Sequence, residues 1–162
     1  LDRREGKEPL VDFVAYCLNP NHYHLLLKQN CDGGIAEFMK RLNGGYTSYF
    51  NIRNNRSGAL FQGRFKSVHV DSNEYLLYLS AYINKNYVVH QLGGSTPKLV
   101  GSWSSWEEYG SDPLKRAGIC EKSMILEQFK DISTYKKFVD DVVDNIATRR
   151  QEEKVIAHLV IE

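Results

Sequence analysis

Two histidines separated by a single residue, His22 and His24, are the first place where this sequence could do chemistry. In a strand, a spacing of two sends both imidazoles from the same face of the sheet. Neutral imidazoles are common ligands of divalent ions, so such a pair can hold two coordination positions. The plainer reading is two half-exposed side chains on a sheet face. Further on, Tyr75, Tyr78 and Tyr82 recur at the spacing of one helix face. They form either a core stripe whose hydroxyls reach the rim or the source of a nucleophile. A phenol titrates at about 10, so it attacks well only where a base or a nearby cation favours phenolate. A metal held beside it would instead polarise a target phosphate and stabilise the departing charge.

A third feature points the same way. The chain carries 21 basic and 20 acidic residues, yet residues 38–70 contain Lys40, Arg41, Arg53, Arg56, Arg64 and Lys66 and no acidic residue. Tyr46, Tyr49, Phe50, Phe61 and Phe65 are interleaved with them. Arg and Lys track phosphates while bases stack on aromatic faces, a mixture suited to single-stranded nucleic acid. The alternative is a solvated face whose counter-charges come from elsewhere, with the aromatics turned into a core. Histidine pair, tyrosine and basic aromatic surface together describe nuclease or strand-transfer chemistry more economically than any other reaction class.

The elements that must position these residues are legible in outline. Residues 10–18 are β-branched and aromatic and read as a strand. Asn19-Pro20-Asn21 reads as a turn, and residues 22–28 as the second strand of a hairpin. Asp32-Gly33-Gly34 offers a cap for a helix that carries Ile35, Phe38, Met39, Leu42, Tyr46, Tyr49 and Phe50 at three- and four-residue spacing, interrupted by Gly44 and Gly45. Residues 59–70 return to strand-like composition. Ser72 caps a helix running to about Asn84, residues 91–110 read as loop, and 121–162 as helix. Strands first, with helices between and after, indicate an α+β fold with an antiparallel sheet. At 162 residues, 42% hydrophobic and 25% charged, the chain is one soluble domain's worth of sequence rather than a disordered or low-complexity one. The three cysteines form no C-x-x-C pair, which argues against a disulfide framework and for a reducing cytoplasm. No segment is apolar enough to suggest a membrane partner.

With these residues in view, the chain resembles the single-tyrosine transposases of histidine-hydrophobe-histidine (HUH) type, in the insertion-sequence 200/605 superfamily and especially its REP-associated members. Asn19-Pro-Asn-His-Tyr-His24, within residues 16–27, is the most specific part of the likeness. Residues 46–51, 56–67, 71–77 and 103–109 extend it over about 10–110. The resemblance implies a ferredoxin-like sheet with the histidines on a central strand and the tyrosine on a following helix. It implies Mg²⁺ or Mn²⁺ held by His22 and His24, and Tyr75 as the nucleophile, with Tyr78 and Tyr82 as lesser candidates. The implied reaction is cleavage of single-stranded DNA near a hairpin through a 5′-phosphotyrosine link. The charge pattern then puts Lys40, Arg41, Arg53, Arg56, Arg64 and Lys66 on the DNA, and a homodimer is a further partner to test for.

Three departures qualify that likeness. The family's polar third ligand, one turn after the tyrosine, falls on Leu79, leaving another group such as Asn84 to serve. Asn86-Tyr87 stands where Asn-Pro usually follows. The polar start of the chain leaves the expected N-terminal strand and helix missing. The resulting division is a catalytic domain at 1–110 and a helical extension at 111–162. There Lys136, Lys137, Arg149 and Arg150 compete with Asp140, Asp141 and Asp144 between a DNA-contacting role and a packing or dimer role. A domesticated hairpin-binding protein that no longer cuts is the alternative, favoured by Leu79. A zinc site of His22, His24 and Cys31 in an unrelated hydrolase is a third reading, weakened by the lack of paired carboxylates.

Overall fold

The computed structural model describes residues 8–91, 102–110 and 118–159. The elements in order are β1 (Val11–Leu18), β2 (Tyr23–Gln29), α1 (Gly34–Arg53), α2 (Asn73–Asn84), α3 (Asn86–Gln91), β3 (Trp103–Ser104), α4 (Trp106–Gly110), α5 (Ser123–Leu126) and α6 (Ile132–Leu159). The fold is α+β, with an antiparallel sheet in the order β2-β1-β3. The chain forms two compact units. One holds residues 8–12 and 27–69, the other 13–26 and 70–159. The expectation that a strand and helix are missing ahead of β1 turns on the start of the chain, of which residues 1–7 lie outside the described part.

The second unit is built on the β1–β2 hairpin. Pro20 fixes its own φ inside the turn, and the Asn19 amide closes it by donating to the His22 carbonyl at 2.9 Å. Val14, Ala15 and Cys17 of β1 pack with Leu26, with Ala81 and Ile83 of α2, and with Tyr135, Val139 and Val142 of α6. Each buried Val, Leu or Ile side chain among them contributes roughly 1.5–3 kcal/mol. The helical pattern expected after residue 121 is therefore real, and its aromatic stripe packs on the helix that carries the tyrosines. Residues 103–110, expected as loop, hold a two-residue strand (Cys17↔Ser104, Leu18↔Trp103) and a short helix. Elements so short leave no periodicity to read.

In the first unit α1 runs unbroken through Gly44 and Gly45. Within the Asp32-Gly33-Gly34 run expected to cap it, Gly33 takes the N-cap position in the left-handed region (φ 67), with no side-chain cap bond, while Gln29 Oε1 accepts from the Ile35 amide at 3.1 Å. Residues 59–70 form no strand. Gly63 sits at φ 107, which breaks an extended run, and Phe61 rests on Tyr46 of α1 (centroids 6.3 Å apart) instead of facing a sheet.

The glycines of α1 divide sharply. A Cβ at Gly44 or Gly45 would meet open space, whereas one at Gly34 would lie 2.5 Å from the Leu10 carbonyl oxygen. Gly44→Ala and Gly45→Ala should each stabilise by about 0.5–1 kcal/mol, and Gly34→Ala should destabilise. Urea unfolding midpoints check both signs.

Candidate active site

His24 lies in β2, and His22 is the residue before that strand; their rings meet edge-on with centroids 5.1 Å apart. The tyrosine that reaches them is Tyr82, whose ring centroid is 6.0 Å from that of His24. Tyr78 stacks on Tyr82 at 6.2 Å with an interplanar angle of 15°. Tyr75 sits in the first turn of α2, where its backbone N–H donates to the capping Ser72 Oγ at 3.2 Å. Seven residues of helix separate it from Tyr82, roughly 10 Å along the axis. The structure thus brings the two histidines together with Tyr82, not with the Tyr75 to which the resemblance pointed.

The direction in which α2 presents Tyr82 is set by a buried polar chain. The Tyr16 amide donates to Ser105 Oγ at 2.9 Å, and Ser105 Oγ–H donates to Asn84 Oδ1 at 2.6 Å. Asn84 Nδ2 donates to the Tyr135 hydroxyl at 2.9 Å. Ser80 spends its one hydrogen on the Leu77 carbonyl at 2.7 Å, so the Tyr135 hydroxyl is the donor across the 3.2 Å gap to Ser80 Oγ. Ser80, Asn84, Ser105 and Tyr135 are all fully buried. This use of both ends of its amide removes Asn84 as a candidate ligand. Leu79 packs against the hydrophobic core. At the junction that follows, Lys85 Nζ lies 3.8 Å over the Trp106 ring, where burial lowers its pKa.

Four residues after Tyr82 comes Asn86, fully buried, with Oδ1 accepting from Asn19 Nδ2 at 2.9 Å. The same Asn19 nitrogen lies 3.0 Å from His22 Nε2. Since an amide nitrogen only donates, Nε2 accepts, and the hydrogen of His22 is on Nδ1, donating to Asn21 Oδ1 at 2.7 Å. The Nδ2 of Asn86 is buried without a partner. Asn19 and Asn86 were missed in the sequence, although the four-residue offset that pairs Tyr75 with Leu79 also pairs Tyr82 with Asn86.

Among the described residues no group of three or more His, Cys, Asp or Glu side chains is placed to hold a metal ion, so the zinc set of His22, His24 and Cys31 is not assembled. The donors present are two imidazoles and an amide oxygen, a set that fits a divalent cation completing its shell with water and phosphate oxygens. The Cys17 and Cys120 thiols offer no competing nucleophile. Burial pushes Cys17 up, and burial with the nearby Glu108 carboxylate pushes Cys120 up to about 12.

The six cations of residues 38–70 lie in the first unit and are exposed. Glu37 takes Arg41 at 2.7 Å and Lys40 at 3.8 Å, and the Arg41 hydrogen bond and charge hold the Glu37 carboxyl below its usual range. Arg53 donates to the Tyr49 hydroxyl, and Arg56 donates to the Ala59 carbonyl and lies over Phe50. Arg53, Arg56, Arg64 and Lys66 have no carboxylate partner among the described residues. Tyr46, Tyr49 and Ile52 are exposed beside them.

Ser105→Ala would leave the Tyr16 amide and Asn84 Oδ1 unpaired in the core and should cost about 2 kcal/mol. Urea denaturation measures this, with far-UV circular dichroism expected to remain native.

Residues 6–86 match the model of a family described as transposase, IS200-like. No curated protein and no solved structure matches the chain.

Proposed function

Because this chain belongs to the IS200-like transposase family, we propose that it cuts and rejoins single-stranded DNA beside hairpins, with Tyr82 as the nucleophile. The observation that carries the reading is the contact between the Tyr82 and His24 rings, on a helix whose rotation is fixed by the buried Asn84 chain. The Tyr82 oxygen attacks the scissile phosphorus and its proton passes to water. The new oxygen–phosphorus bond leaves DNA attached as a 5′-phosphotyrosine, while the departing 3′ oxygen gains a proton and becomes a hydroxyl able to reverse the step. The His22 and His24 imidazoles and Asn86 Oδ1 are the residues that would hold Mg²⁺ or Mn²⁺. When bound, that ion supplies charge neutralisation at a non-bridging phosphate oxygen.

The remaining work belongs to the chain's own groups. Asn21 Oδ1, accepting from His22 Nδ1, fixes the His22 tautomer so that Nε2 offers a lone pair. Tyr78 backs the Tyr82 ring and limits its rotation. Arg53, Arg56, Arg64 and Lys66 carry DNA phosphates, and Tyr46 and Tyr49 offer faces for unpaired bases. Lys40 and Arg41 contribute less, because Glu37 already neutralises part of their charge. The reading of a hairpin binder that no longer cuts drew on Leu79. With Tyr82 as nucleophile, the residue one turn on is the amide of Asn86, and that objection lapses.

Incubation with labelled hairpin oligonucleotides and Mn²⁺, followed by a denaturing gel, tests this reading. Wild type and Tyr75→Phe should form a covalent protein–DNA adduct. In Tyr82→Phe it should fall by on the order of 10³-fold or more, and His24→Ala should also lose it. An adduct that survives Tyr82→Phe and disappears in Tyr75→Phe would overturn the assignment.

A further inference from the structure

Asn19 immediately follows β1, and its side chain works at both ends. Oδ1 accepts from Ser102 Oγ at 2.9 Å, with the Cys17 thiol at 3.6 Å. Nδ2 has two hydrogens, one for Asn86 Oδ1 at 2.9 Å and one for His22 Nε2 at 3.0 Å. These acceptors are two of the atoms assigned above to the cation. An –NH₂ group between two lone pairs puts partial positive charge where a small cation would put a full one.

We propose that Asn19 is a built-in plug: in the metal-free protein its amide nitrogen stands in for the divalent cation between His22 Nε2 and Asn86 Oδ1, and it must rotate away for that cation to bind. The proposal rests on the reading that His22 and Asn86 are ligands. A second observation supports it. Asn86 is fully buried with Oδ1 engaged by the plug and Nδ2 unpartnered. An amide packed there for structure alone would be expected to satisfy both ends.

The arrangement has two consequences. Without the plug, a lone pair on nitrogen and one on oxygen would face each other in a half-buried site, so Asn19 stabilises the fold when no cation is bound. Cation loading then becomes an exchange in which two hydrogen bonds are given up, which weakens affinity for the ion alone. Phosphate oxygens arriving with DNA would shift the balance toward the loaded state, tying metal uptake to substrate. Asn19 is a positioning residue in this scheme and touches no reacting atom.

The test is Mn²⁺ affinity of the whole chain without DNA, by calorimetry or by the electron paramagnetic resonance of free Mn²⁺, together with metal-free melting temperature. Asn19→Ala should bind Mn²⁺ about tenfold more tightly, the net worth of roughly one hydrogen bond, and should melt lower without metal. Asn19→Asp, of the same size and with no amide hydrogen, should bind more tightly still. Unchanged or weaker binding in both variants overturns the plug. His22→Ala, alone and combined with Asn19→Ala, separates the two readings. If Mn²⁺ binding survives its introduction, the ligand assignment fails and the plug with it. If His22→Ala abolishes binding but the Asn19 variants bind no more tightly than wild type, only the plug falls.

Discussion

Everything in the second unit depends on how α2 is rotated about its own axis, and a single buried amide sets that rotation. Ser80 and Asn84 lie four residues apart and share one side of the helix; Tyr78 and Tyr82 share another, about 200° away at 100° per residue. Pinning the first stripe therefore aims the second. Asn84 is held at both ends, by Ser105 beyond β3 and by Tyr135 of α6, and neither bond can be broken without leaving a buried polar atom unpaired. Apolar packing of Ala81 and Ile83 supplies most of the adhesion but would tolerate small rotations. The polar chain is what makes one angle preferable, and it is also why α6 is bound up with the site despite lying outside the sequence motifs.

Sequence reading succeeded where a local signal and the tertiary outcome agree. The hairpin was visible from β-branched runs flanking Asn19-Pro20-Asn21, and the Ser72 cap from residue type alone. The long C-terminal helix was visible from the spacing of Tyr135, Phe138, Val139 and Val142. It failed where the deciding contact was distant. Residues 59–70 have strand composition, but Phe61 found the aromatic face of α1, and among the described residues no neighbouring strand supplied a ladder. The Asp32-Gly33-Gly34 run was legible as a cap, but not that Gly33, free to take the left-handed conformation, would hold the position without a side-chain bond.

The choice among the three tyrosines shows the limit most clearly. Helical spacing placed Tyr75, Tyr78 and Tyr82 on one stripe and could not say which of them lies level with the histidines. That depends on the point at which α2 crosses β2, a property of tertiary packing. The offset of four residues was nevertheless informative, since it pairs Tyr75 with the core-packed Leu79 and Tyr82 with the amide of Asn86. A hydrophobic residue at the position where a polar partner was required was a sign that the register should be moved down the helix. The electrostatics of the basic segment were only partly legible, because Glu37, one residue outside it, draws on two of its six cations.

The central claim is that Tyr82 is the atom-bearing partner of the His22–His24 pair. It is tested most directly by trapping the cleavage product of the wild-type protein, digesting it with protease and nuclease, and locating the residual nucleotide mass by tandem mass spectrometry. The account predicts that the phosphonucleotide is carried on Tyr82. Finding it on Tyr75 or Tyr78 would contradict it.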